Sequence, residues 1–306
     1  MDNTTTTDEV AIDFLPLFRI YKDGRIHRFT GTDVHPPSTN PDTGVQSKDV
    51  VVSSETGLSG RLFLPRITDS TAGKLPFLLF IHGGAFVIES AFSPAYHNHV
   101  AALAAEANVV AFSVDYRRAP EHHLPIAYDD TWDALQWAIS HSGGDGPEEW
   151  LNRHADFRRV YVAGDSAGAN IAHNVVVRAG VDGLINGANI TGMVLFHPYF
   201  DHGEVNKLLD IVFPKRSRPM DPRVNPGSDP NQLAKLACEK VLIFVAQKDF
   251  LRDRGLSYYE ALKTSGWGGS VELADTEDEG HVFHLHNPGC DRALALMEDG
   301  FLFKHD

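Results

Sequence analysis

The sequence predicts a single α/β domain built on a mostly parallel, eight-stranded sheet. Three observations carry this expectation: eight short runs of β-branched or aromatic residues, helical windows that alternate with them from the third run onward, and 42% apolar residues in a chain of 306, enough for a large core. The runs occupy 50–53, 60–64, 77–81, 109–116, 159–163, 192–196, 241–246 and 271–274, and each is of strand length and bounded by turn residues. Helical spacing or helix-forming composition marks 94–107, 129–141, 167–179, 254–265 and 292–303, with Gly180 and Gly266 placed as C-terminal stops. Strand, helix, strand in succession needs crossover connections, which lay strands parallel and put helices on both faces of the sheet. Length alone would allow two domains, but one alternating series of this size fits one sheet spanning 1–306.

Two stretches stand outside the alternation. Residues 1–48 carry Pro16, Pro36, Pro37 and Pro41 with one apolar cluster of Phe14, Leu15, Leu17, Phe18 and Ile20. They read as an arm or cap that covers a sheet edge or closes over a ligand pocket. Residues 199–233 hold five prolines directly after the sixth run and read as a cap-like insertion.

Charge and cysteine usage exclude several classes. Lys and Arg number 27 against 41 Asp and Glu, a formal charge of −14 with no basic block, so nucleic acid is not an expected partner. Cys238 and Cys290, the only cysteines, read as buried thiols of a reduced, cytoplasmic protein. The first ten residues are Thr-rich and acidic, unlike a secretory signal. The longest apolar stretch, 77–88, is broken by His82-Gly83-Gly84 and is too short to span a bilayer.

Chemistry concentrates at the strand ends. Gly164-Asp165-Ser166-Ala167-Gly168 follows the run at 159–163 and opens the window at 167–179, the strand-turn-helix setting in which a serine is held on a sharp turn. A serine hydroxyl is a weak nucleophile until a base accepts its proton, and that base needs an acceptor to fix its tautomer. The expected order is Ser, then Asp or Glu, then His, each at the carboxyl end of a strand. Asp249 follows the run at 241–246, and His281 follows the run at 271–274. His284 and His286 compete with His281, and Gly280 favours His281 because a glycine there lets the turn carry the ring toward the serine. Asp253 competes with Asp249, but at the start of a helix an acidic residue is already explained by capping.

An attacked carbonyl becomes an oxyanion and needs preorganised N–H donors. The turn His82-Gly83-Gly84-Ala85-Phe86 after the third run supplies them, with Gly84, Ala85 and Ala167 as the direct donors and Gly83 shaping the turn or donating as well. His82 orients this loop and is not the base. No metal or cofactor is expected: His122 and His123 are adjacent, flanked by Glu and Leu-Pro, without ligand spacing. The predicted partner is a small-molecule ester.

Taken with Ser113-Val114-Asp115-Tyr116-Arg117-Arg118-Ala119-Pro120-Glu121-His122, Trp150-Leu151-Asn152, His154-Ala155-Asp156-Phe157 and His197-Pro198-Tyr199-Phe200, these motifs resemble the hormone-sensitive-lipase-like branch of the α/β-hydrolases. Within that branch the chain is similar to the plant carboxylesterases, relatives of gibberellin receptors and 2-hydroxyisoflavanone dehydratases. The resemblance implies an α/β-hydrolase fold, a triad of Ser166, Asp249 and His281, and hydrolysis of short-chain carboxylic esters of plant specialised metabolites. Gibberellin receptors of this family lack the catalytic His, whereas His281 is present, which weighs against a non-catalytic ligand receptor. The dehydratases often carry Thr at the elbow, and here it is Ser166; an eliminating or cyclising enzyme with the same site is the alternative. Two departures stand out. Ala85 replaces a third glycine, at a cost of about 1 kcal/mol if the position needs positive φ. The stretch 200–222 is shorter than in the relatives, which would open or impair the pocket.

Overall fold

The computed structural model describes residues 8–67, 73–201, 206–214 and 221–299. In chain order the strands are β1 (Val10–Phe14), β2 (Phe18–Tyr21), β3 (Ile26–Arg28), β4 (Gln46–Val51), β5 (Ser59–Leu64), β6 (Leu75–Ile81), β7 (Val110–Asp115), β8 (Ala155–Asp165), β9 (Ile190–Phe196), β10 (Lys240–Ala246) and β11 (Ser270–Thr276). The helices are α1 (Pro94–Glu106), α2 (Ile126–Ile139), α3 (Glu149–His154), α4 (Ala167–Asp182), α5 (Lys207–Val212), α6 (Pro230–Leu233), α7 (Arg252–Thr264), α8 (Phe283–His286) and α9 (Asp291–Asp299).

All eight strands expected from the apolar runs lie in one sheet, ordered β11-β10-β9-β8-β6-β7-β5-β4. The pairs β4–β5 and β5–β7 are antiparallel and the remaining pairs are parallel. Strand alternation splits the core in two. Phe77, Leu79 and Ile81 of β6 join one cluster with α2, α4 and α7, while Leu78 and Phe80 join another with α1, α8 and α9. Because both faces are covered, the central strands are continuous apolar runs, which is why they were legible.

The arm is more ordered than its prolines suggest: β1, β2 and β3 form a small antiparallel sheet. Phe18 alone of its apolar cluster is fully buried, stacked on Phe14 with ring centroids 5.4 Å apart. Arg28 fastens the arm by donating from Nε to Val87 O (2.6 Å), from Nη2 to Ala119 O (3.1 Å), and by pairing with Glu121 (2.6 Å). Val87 lies beyond the end of β6 and Ala119 beyond the end of β7, so the arm sits at the edge where these strands finish. The insertion carries α5 and α6, and its stretches 202–205 and 215–220 lie outside the described residues.

Two local expectations need correction. Helix α4 does not stop at Gly180 but runs to Asp182, with Gly183 taking the positive φ of 75°. Gly180 is required for space, since a Cβ there would overlap the Lys235 carbonyl oxygen. Cys238 is buried as expected, its thiol pushed up to about 12 by desolvation, but Cys290 is half-exposed. The last helix is described only to Asp299, and the rest of the expected 292–303 lies outside the described residues.

Gly180→Ala, ordinarily a gain of about 1 kcal/mol in a helix interior, is expected here to lower stability by about 1–3 kcal/mol through overpacking. Chemical denaturation of the two proteins measures the sign.

Candidate active site

Strand β8 ends at Asp165, and Ser166 turns the chain into α4 with φ 51° and ψ −117°, a conformation few L-residues adopt. The flanking glycines make the turn possible. A Cβ on Gly168 would overlap the Ile81 carbonyl oxygen, and one on Gly164 would crowd the carbonyl of Gly168. Neighbouring backbone pins the serine from outside: Ser166 N–H donates to Phe196 O (2.8 Å), and Tyr199 N–H donates to Ser166 O (2.9 Å). Such strain persists only where the surroundings over-determine it.

Asp249 and His281 come from the turns after β10 and β11, which are themselves paired by Lys248 N–H donating to Glu279 O (2.8 Å). Asp249 is buried; its Oδ1 accepts the Leu251 N–H at 2.8 Å and its Oδ2 lies 2.8 Å from His281 Nδ1. His281 Nε2 is 3.0 Å from Ser166 Oγ. The three sequence-predicted residues thus stand in one hydrogen-bonded row, 115 residues apart at the Ser–His step and 32 at the His–Asp step. The rivals are elsewhere. Asp253 is exposed in the first turn of α7 beside Arg252, His286 is exposed, and His284 is buried on the α1 side of the sheet.

Gly280 does not do what the sequence suggests. It needs no positive φ and has open space around it; the unusual backbone is at Val282, φ 46°. The Val282 N–H donates to Nδ1 of buried His197 at 2.8 Å.

The turn 82–86 lies against the elbow. Gly83 N–H is committed to Tyr96 Oη (2.9 Å) and Asp165 Oδ1 (3.0 Å), so of its two expected roles the geometry serves the shaping one. The N–H groups of Gly84, Ala85 and Ala167 have no acceptor among the described residues. Ala85 does adopt positive φ, 56°, as does Gly84 at 94°. His82 is fully buried, held neutral by desolvation with its pKa lowered to about 3, and its Nδ1 bonds Gly83 O at 2.8 Å. Its ring stacks on Tyr116 at 4.2 Å, and Tyr116 Oη donates to His82 O and Gly83 O.

Asp165 and Tyr96 were not picked out from the sequence. Tyr96 Oη donates to Asp165 Oδ2 at 2.8 Å, so one buried carboxylate bridges the elbow, the turn and α1. The only sequence signal was an acid inside the elbow motif. Among the described residues, His197, Asp249 and His281 alone are close enough together to ligate an ion. Their donors are already engaged, Asp249 Oδ2 with His281 Nδ1 and His197 Nδ1 with the Val282 N–H.

Burial raises the Asp165 pKa from 3.8 to about 7, against the opposing hydrogen bond from Tyr96. The folded chain then binds this proton more tightly than the unfolded chain, so the contribution of Asp165 to stability falls as pH rises from about 4 to about 7. In thermal melts across that window, Asp165→Asn is expected to gain stability relative to wild type as pH increases.

The model of the alpha/beta hydrolase fold family matches residues 78–285, the span that contains all of these groups. "Probable carboxylesterase 5" of Arabidopsis thaliana is 44% identical over 95% of this chain and 97% of its own. The 2-hydroxyisoflavanone dehydratase of Glycyrrhiza echinata is 42% identical over 96% of each chain. Among solved structures, esterase LipW from Mycobacterium marinum superposes with a TM-score of 0.68 at 26% identity, over 84% of this chain and 80% of that one. A strained serine between two space-limited glycines, on a mostly parallel sheet with this family match, places the chain in the alpha/beta hydrolase fold family.

Proposed function

We propose that the protein is a serine carboxylesterase that hydrolyses small carboxylic esters through an acyl-enzyme intermediate. The observation that carries this reading is the row Ser166 Oγ, His281 Nε2, His281 Nδ1, Asp249 Oδ2, spaced 3.0 and 2.8 Å, beside a turn with unengaged N–H groups. Ser166 Oγ attacks the ester carbonyl carbon while His281 Nε2 takes its proton. Asp249 holds the imidazole with its Nδ1 proton turned toward the carboxylate and stabilises the imidazolium that forms. The N–H groups of Gly84, Ala85 and Ala167 stabilise the oxyanion. Collapse breaks the C–O bond, His281 returns the proton to the leaving alcohol, and water repeats the sequence on the acyl-enzyme to release the acid. No step draws on a cofactor or a metal.

Phe86 and Tyr199 meet edge to face at 5.8 Å, one in the turn and the other hydrogen-bonded to Ser166 O. Both side chains are buried in the core, and we propose that the substrate is a short-chain ester of a plant specialised metabolite. We place the protein in the cytoplasm, where its two free thiols stay reduced.

The 42% identical dehydratase favours a second reading. There His281 would take a proton next to a carbonyl held by the same N–H groups, and a β-hydroxyl would leave as water. Hydrolysis consumes water and elimination releases it, so isotopic oxygen in the product separates them.

Hydrolysis of p-nitrophenyl acetate and its longer homologues is the direct test. Turnover is expected to decline with acyl length, to fall by about 10⁴-fold or more in Ser166→Ala, and by about 10⁴-fold in Asp249→Asn. An organophosphate adduct is expected on Ser166. Folded protein with neither turnover nor adduct would overturn the proposal.

A further inference from the structure

We propose that His197 is a positioning residue for this reaction: its Nδ1, by accepting the Val282 N–H, fixes the adjacent His281 ring between Ser166 and Asp249. The inference rests on the esterase reading for its kinetic consequence, and on geometry for the rest.

His281 is carried by the connection between β11 and α8, which is held on its N-terminal side at Asp278 and Glu279 by Gln247, Lys248 and Arg292 and on its C-terminal side at Val282 by His197. Its side chain is 21% exposed, and the connection contains two residues of positive φ, Asp278 at 59° and Val282 at 46°. Positive φ at a β-branched residue is unfavourable and needs an external hold. The acceptor on the Val282 N–H is His197 Nδ1 at 2.8 Å, and Val282 is the residue directly after His281, so releasing one displaces the other.

His197 is itself anchored to the strands that deliver the other two members. It follows β9, whose Phe196 O accepts the Ser166 N–H, and its own N–H donates to Phe244 O of β10, the strand leading to Asp249. One residue therefore refers the His281 loop to both the serine and the aspartate.

The side chain is chosen for its nitrogen. Its ring packs among His281, Phe283 and His284 at 5.5 to 5.9 Å, and with Nδ1 accepting, Nε2 carries a proton that is buried without a partner among the described residues. A residue needed only to fill space here would be apolar, because an orphaned polar group is costly. Burial, with the neighbouring His281 adding to it and Asp249 opposing, holds the His197 pKa down at about 3. The ring thus stays neutral, which it must, since a protonated imidazole has two donors and no acceptor.

Two substitutions separate this role from packing. His197 itself stands at φ 48°; asparagine places its Oδ1 where Nδ1 stands and tolerates that conformation, whereas leucine fills similar space with no acceptor. His197→Leu is expected to lower kcat for p-nitrophenyl acetate by about 100-fold, the cost of misplacing a catalytic group by about 1 Å, with KM unchanged. It should also lose the low-field proton resonance of the His281 Nδ1–H and speed exchange of the Val282 amide. His197→Asn is expected to restore kcat, the resonance and the protection. Wild-type kcat and an intact resonance in His197→Leu, or equal damage in both variants, would overturn the proposal. If His197→Leu fails to fold, restoration or loss in His197→Asn decides. The resonance and the exchange rate need no turnover, so a wild type inert to esters and organophosphates would overturn the esterase reading while these two measurements still decide where His197 holds the ring.

Discussion

Everything at the site is referred to the turn at Ser166. A side chain held at φ 51° and ψ −117° lifts its hydroxyl clear of the sheet, and the chain tolerates it only because three backbones close in on it. Those of β6 and α4 approach so tightly that Gly164 and Gly168 have no room for a Cβ, and that of β9 accepts the Ser166 N–H. Through Phe196 O and Tyr199 N–H the same turn is bonded to the end of β9, and through Asp165 to the turn of Gly83 and to Tyr96 on α1. Ser166 and the unengaged N–H groups of the turn are thus parts of one rigid unit, which is what the proposed mechanism requires of its nucleophile and oxyanion donors.

The remaining two groups reach this unit differently. Asp249 is buried and capped by the Leu251 N–H, so its position follows from the end of a central strand. His281 is half-exposed on a loop, with Asp249, Ser166 and the His197–Val282 contact around it. The division suits the proposed mechanism, in which the carboxylate is shielded so that it orients the ring and the base meets solvent for deacylation. Other histidines show what burial does without such a task. His82, His173 and His197 are all held near a pKa of 3 by desolvation, and they serve as neutral hydrogen-bonding rings.

The central sheet was legible because parallel strands covered on both faces must be apolar throughout, and the elbow because its steric demand allows glycine at both flanks. The arm strands were not, since β1, β2 and β3 are short, exposed or only half-buried but for Phe18, and the first two are separated by Pro16, without the alternation that marks a half-buried strand. Gly180 and Gly280 misled for one reason. A glycine in a sequence signals that something about the backbone is special, and only the neighbours say whether it is φ, space or nothing.

By itself the sequence determined the fold class and the chain order of the eight strands, and it singled out Ser166, Asp249 and His281, the three residues that the fold brings into one hydrogen-bonded row, because local periodicity and strand-end spacing are properties of the chain. The tertiary structure alone decided which turn amides are left unengaged, that Asp165 and Tyr96 tie the turn to the elbow, and that His197 holds the loop of His281. Those contacts join residues 69 to 85 positions apart, and pairings at such distances are set by how strands lie side by side.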